Sequence, residues 1–122
     1  MDLIALASIA EIADNSAKEF SLTQYDPPLE LFVIRKQQRF YAYLNRCPHT
    51  GVNLNWFPDQ FFDIDQHYIQ CATHGALFKV ENGYCVRGPC AGASLLSVPV
   101  IIQDEMIYFH AAQQNEFNPL PR

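Results

Sequence analysis

Positive charge is scarce in this chain. Eight Lys and Arg stand against thirteen Asp and Glu in 122 residues, a net charge of −5, and no basic run gathers them. Binding a phosphate backbone rewards clustered cations, so nucleic acid is excluded as a partner. No basic amphipathic stretch is present either, which argues against a membrane surface. Long apolar runs are equally absent: none approaches the ~20 residues that a bilayer span requires. The opening MDLIALASIAEIAD lacks a basic n-region, carries Asp2 at its front and is interrupted by Glu11 and Asp14. It reads as a first strand and turn rather than a secretory leader. The expected location is the cytoplasm. Internal repeats and low-complexity tracts are missing as well, and 122 residues suffice for one domain around one core.

Helix signals are few; Ser8 to Ala17 holds a turn of helix at most. What the chain has instead is short β-favouring runs separated by turns. LFVIRKQQRFYAYLN (Leu31 to Asn45) reads as a hairpin around Lys36-Gln37-Gln38. ALFKVENGYCV (Ala76 to Val86) is a second, turning at Glu81-Asn82-Gly83, where Asn-Gly accepts positive φ cheaply. SVPVIIQDEMIYFH (Ser97 to His110) is a third, turning near Asp104-Glu105, and Tyr68 to Cys71 is a further short strand. The fold class is all-β, built from antiparallel hairpins. The predicted domain covers 1–112. A polar tail, 113–122, with Pro119 and Pro121, follows it.

Cysteine and histidine number only four each, yet two of each fall in a pattern. Cys47-Pro48-His49-Thr50-Gly51 follows the first hairpin, and Cys71-Ala72-Thr73-His74-Gly75 precedes the second. Each Cys–His pair thus lies on a loop tied to strands, with a glycine permitting the tight turns needed around a metal. A disulfide does not suit a reducing compartment, and a cysteine nucleophile would leave one pair unexplained. A metal uses all four. Structural zinc takes Cys2His2, but usually with the thiols grouped together and the imidazoles grouped together. An iron–sulfur cluster with two His on one iron suits the mixed order, since each loop then gives its Cys to one iron and its His to the other.

C-P-H-T-G and C-A-T-H-G, followed by Arg87-Gly88-Pro89-Cys90, resemble the Rieske 2Fe–2S domain, and most closely the small soluble Rieske-type ferredoxins. The resemblance runs from the first hairpin through Phe109. It implies stacked antiparallel sheets with a cluster-binding subdomain, about 45–91, made from two loops. It implies a 2Fe–2S cluster with Cys47 and Cys71 on the buried iron, His49 and His74 on the solvent-facing iron, and a proline loop at Gly88-Pro89 covering it. The implied function is one-electron transfer from a flavin-dependent reductase to a terminal oxygenase or another redox protein. Alternatives are a small subunit of a larger oxidoreductase, such as nitrite reductase, and a zinc module. The chain offers neither a nucleophile–base arrangement nor room for the mononuclear-iron domain of a complete oxygenase.

Respiratory Rieske proteins carry a disulfide between the cluster loops; the matching positions here are Val52 and Thr73, so that bridge cannot form. Their Ser and Tyr donors to sulfur are matched by Ala76 and Phe78, which carry no hydroxyl. The 21-residue spacer between His49 and Cys71 includes WFPDQFF (Trp56 to Phe62). Two readings are open for it: a small core beneath the loops, or a docking surface. Cys85 and Cys90 are read as small buried apolar residues or as a pair that joins on oxidation. His67 is read as a turn residue and His110 as a strand end, neither of them a ligand.

Overall fold

The computed structural model describes residues 3–25, 28–48, 53–55, 59–63, 65, 67–72, 75–89 and 91–110. Nine strands carry the architecture: β1 (Leu3–Ser8), β2 (Ser16–Leu22), β3 (Leu29–Lys36), β4 (Arg39–Leu44), β5 (Tyr68–Gln70), β6 (Leu77–Lys79), β7 (Cys85–Arg87), β8 (Val100–Gln103) and β9 (Met106–His110). They form three antiparallel sheets with the orders β1-β9-β8, β2-β3-β4 and β5-β6-β7. Among the described residues the one helical element is a 3₁₀ turn, Ile9–Glu11, closed by a capping box between Ser8 and Glu11. No helix among them is long and apolar enough to cross a membrane.

The middle sheet is the spine, and the sequence of β3 explains why. Leu31, Phe32, Val33 and Ile34 are all fully buried, so both faces of this strand are covered, which is what an uninterrupted apolar run requires. Leu31 and Val33 join Ile12, Leu22, Ala42, Leu44, Val98, Ile107 and Phe109 in one core, against the β1-β9-β8 sheet. Phe32 and Ile34 join Tyr43, Phe61, Ile69, Phe78 and Val80 in the other, against the β5-β6-β7 sheet.

All three expected hairpins are present. The β3–β4 hairpin closes at Lys36 opposite Arg39, with Gln37 and Gln38 at φ 53° and 65°, the mark of a two-residue primed turn. Glutamine is an awkward choice there. Gln38 is held by its N–H donating to Asp14 Oδ1 (2.9 Å) and by its side-chain oxygen accepting from Arg35 Nη2 (2.7 Å). The β8–β9 hairpin repeats the geometry at Asp104 and Glu105. Strand β2 escaped the sequence reading. SAKEFSL carries Lys18 and Glu19 in its middle, yet it pairs in full with β3 from Ser16 opposite Arg35 to Leu22 opposite Leu29. Pairing to a strongly β-forming neighbour overrode a weak local signal.

Candidate metal centre

Cys47 lies three residues beyond β4 and Cys71 directly after β5. Both side chains are buried, at 1% and 0% exposure, in the same core as Leu54, Phe61, Ala76, Phe78 and Cys85. Their intended partners, His49 and His74, lie outside the described residues, as do Thr50, Gly51, Val52, Trp56, Thr73 and Cys90.

Backbone bonds shape the second loop. Gly75 N–H donates to the Cys71 carbonyl (2.8 Å), and Cys71 N–H donates to that of Ala76 (2.9 Å). The turn closes on Gly75 at φ 71°, a left-handed geometry that glycine adopts without steric cost. A third segment presses on this loop from outside. A Cβ placed on Gly88 would stand 2.7 Å from Ala76 Cα, a backbone atom, and Gly88 itself sits at φ 107°. The Gly88-Pro89 segment therefore packs main chain against main chain beside the second loop.

The first loop is anchored by a buried polar side chain. Asn45 is 4% exposed, the sole polar member of the buried set among the described residues. Its Oδ1 accepts from Leu54 N–H (2.8 Å), and its Nδ2 donates to Asn55 Oδ1 (3.0 Å). Leu54 in turn joins the loops, because its carbonyl accepts from Ala72 N–H (2.7 Å). Sequence reading passed over Asn45. The signal available was an amide two residues before a ligand candidate, too weak to stand out alone.

The spacer is packed, at least over its described part. Phe61 is buried and stacks on Phe32 with ring centroids 4.1 Å apart and planes 8° from parallel. Gln70 N–H donates to the Phe61 carbonyl (2.8 Å), and Asp63 N–H to that of Tyr68 (2.9 Å). Asp59 Oδ1 accepts from Glu19 N–H (2.8 Å), covering a donor on the open edge of β2. Phe61 thus belongs to a core beneath the loops, while the Trp56 end falls outside the described residues. Cys85 is buried, its thiol donating to the Arg87 carbonyl (3.3 Å). His67 is an exposed turn residue whose N–H donates to Asp63 Oδ1 (2.9 Å), and His110 ends β9.

Three thiols share this apolar core, and of these the two on the loops, Cys47 and Cys71, suit a metal group. A thiolate this deep would be uncompensated without a cation beside it, and iron–sulfur ligation supplies one. Among the described residues, the two positions beside the second loop carry no hydroxyl. Ala76 and Phe78 are fully buried and carry none, and Tyr43 gives its hydroxyl to the Val80 carbonyl (2.6 Å). That phenol is held protonated well above its ordinary range, first by burial and then by Tyr41 and Glu81 nearby.

The model of the Rieske [2Fe–2S] domain family matches residues 2–104. Among curated proteins none matches the sequence. Solved structures similar to the chain include the terminal oxygenase of carbazole 1,9a-dioxygenase from Novosphingobium sp. KA1. It has 20% identity and a TM-score of 0.73, over 98% of this chain and 31% of that one. The ferredoxin of carbazole 1,9a-dioxygenase from Nocardioides aromaticivorans IC177 has 20% identity and a TM-score of 0.69, over 89% of this chain and 97% of that one. A chain from a complex of reduced oxygenase and oxidized ferredoxin in carbazole 1,9a-dioxygenase has 19% identity and a TM-score of 0.71, over 90% and 94%. The chain spans about a third of the first of these and nearly all of the other two. At such identity the likeness speaks to fold, and the fold is the expected stack of antiparallel sheets.

Proposed function

The chain belongs to the Rieske [2Fe–2S] domain family, and on that premise we propose that it carries single electrons from a flavin-dependent reductase to a terminal oxygenase or another redox enzyme. Its cofactor is a [2Fe–2S] cluster, a centre that takes up and releases one electron. The observation that carries the reading is the burial of Cys47 and Cys71 in one apolar core, on loops joined by the bond from Ala72 to Leu54. In this reading the two thiolates hold one iron inside the protein, and His49 and His74 hold the other. The likeness in fold to a ferredoxin over nearly its whole length supports the carrier reading. A cytoplasmic setting fits the acidic composition.

Fewer thiolates leave less negative charge on the cluster, which is why imidazole ligation raises the potential. Hydroxyl donors to sulfur raise it further, and Ala76 and Phe78 supply none. The midpoint should therefore fall low within the roughly −150 to +300 mV of such centres. Electron paramagnetic resonance and redox titration test both parts. Replacing His49 or His74 by Ala should abolish the Rieske signal. A signal that survives, or a colourless zinc protein, overturns the assignment; a midpoint above about +100 mV overturns the low-potential reading.

A further inference from the structure

A line of amides runs from the loop junction to the open edge of the middle sheet. Leu54 N–H donates to Asn45 Oδ1 (2.8 Å), Asn45 Nδ2 donates to Asn55 Oδ1 (3.0 Å), and Asn55 Nδ2 donates to Glu19 Oε1 (3.1 Å). Every bond points the same way, toward the carboxylate. The orientation is not arbitrary. A backbone N–H can only donate, so Leu54 requires an oxygen of Asn45, which turns the Asn45 nitrogen to Asn55 and the Asn55 nitrogen to Glu19. Aligned amides ending on a charge polarise one another and are harder to break than the same bonds made singly. Glu19, Asn45, Ser21, Glu30 and Asn53 line a cleft of about 330 Å³; Glu19 is half-buried there, whereas Asn45 is buried.

The other end reaches both candidate cysteine loops. Asn45 stands two residues before Cys47, and the Leu54 carbonyl accepts from Ala72, next to Cys71. Thus one buried amide governs where the first loop leaves the sheet and, through Leu54, where the second loop sits.

We propose that Asn45 is a positioning residue for the cluster. Through Leu54 it sets the spacing of the two cysteine loops, with Asn55 and Glu19 holding its amide in place. The proposal rests on Cys47 and Cys71 being the thiolate ligands. Their separation decides whether both can bind one iron without strain, so a looser Asn45 should broaden the range of ligand geometries and speed loss of the metal.

The test uses the loaded full chain with Asn45→Ala, Asn55→Ala, Glu19→Gln and Asn53→Ala. The last removes a bond to Glu30 Oε1 (3.1 Å) that lies in the same segment but outside the line of amides. Release of iron to a ferrous chelator, with excess dithionite as the reductant, should accelerate about tenfold for Asn45→Ala, the effect of leaving a buried donor unpaired. It should accelerate less for Asn55→Ala, least for Glu19→Gln, which keeps an acceptor, and not at all for Asn53→Ala. Resonance lines of the protein still loaded should broaden in the same order, and its midpoint should move. A merely structural role would lower the melting temperature and leave linewidth, midpoint and release alone; that outcome overturns the proposal. If Asn45→Ala does not fold, an Asn55→Ala protein that releases iron at the natural rate overturns it equally. Cys47→Ala separates the premises: a retained signal there defeats the ligand assignment itself, whereas a lost signal with an unaltered Asn45→Ala defeats only the positioning role.

Discussion

The two cores of this molecule share a strand and little else. On one face of β3, Leu31 and Val33 meet Ile107, Phe109 and other apolar residues. On the other, Phe32 and Ile34 share a core with three buried thiols, a buried tyrosine and Phe61, which stacks on Phe32. The first core is built from aliphatic residues and Phe, with Tyr25 set edge-on to Phe109, and burial is its main contribution. The second must also hold polar groups in fixed places: Tyr43 on the Val80 carbonyl, Asn45 on Leu54. A sheet with both faces buried thus lets one half supply stability while the other is organised around chemistry.

Cutting an aromatic ring from each core tests that division most severely. Phe109→Ala and Phe32→Ala should each cost about 3–5 kcal/mol in denaturation. Phe109→Ala should leave the spectrum of the protein that remains folded unchanged. Phe32→Ala removes the platform under Phe61 and should lose cluster as well as stability. Equal spectral damage from both would show that the two cores do not act separately.

A glycine pair sharpens the comparison near the loops. Gly88→Ala should destabilise by about 2 kcal/mol, from positive φ and from contact with Ala76. It should also hasten metal release. Gly92 is likewise at positive φ (97°), but a Cβ there meets nothing within 4 Å. Gly92→Ala should therefore cost strain alone and leave release unchanged, and equal release rates in the two variants would count against packing of the Gly88 segment as a support for the second loop.

The smallest effect concerns Tyr43. Its folded pKa is raised, so the folded protein keeps this proton more firmly than the unfolded chain. The stabilisation is whole below the ordinary tyrosine value of about 10 and fades as pH climbs above it. Tyr43→Phe should cost about 1 kcal/mol at neutral pH, from the lost bond to Val80. It should also flatten the alkaline decline of stability relative to the natural protein. Parallel curves above pH 10 would mean that other groups control alkaline unfolding.

Much of this was visible in the residues themselves. Alternation and turn chemistry marked three hairpins, because both are local and both leave a two-residue or short-turn imprint. The Cys–His spacing marked candidate ligands for a metal, since ligand order within a loop is a matter of a few neighbouring residues. Strand β2 was invisible because its evidence lies in β3, and the line of amides was invisible because Glu19 and Asn55 are 36 positions apart.

The sequence by itself determined the all-β class, the hairpin turns, the family and which four side chains are candidates for iron. Each of these depends on periodicity or spacing over a few residues. Tertiary structure alone decided that Cys47 and Cys71 share one core, that Gly88 backs onto Ala76, and that Asn45 joins both loops through Leu54. Those are contacts between segments whose separation along the chain carries no trace of their meeting. They exist because buried donors and acceptors must find partners wherever the packed backbone happens to bring them.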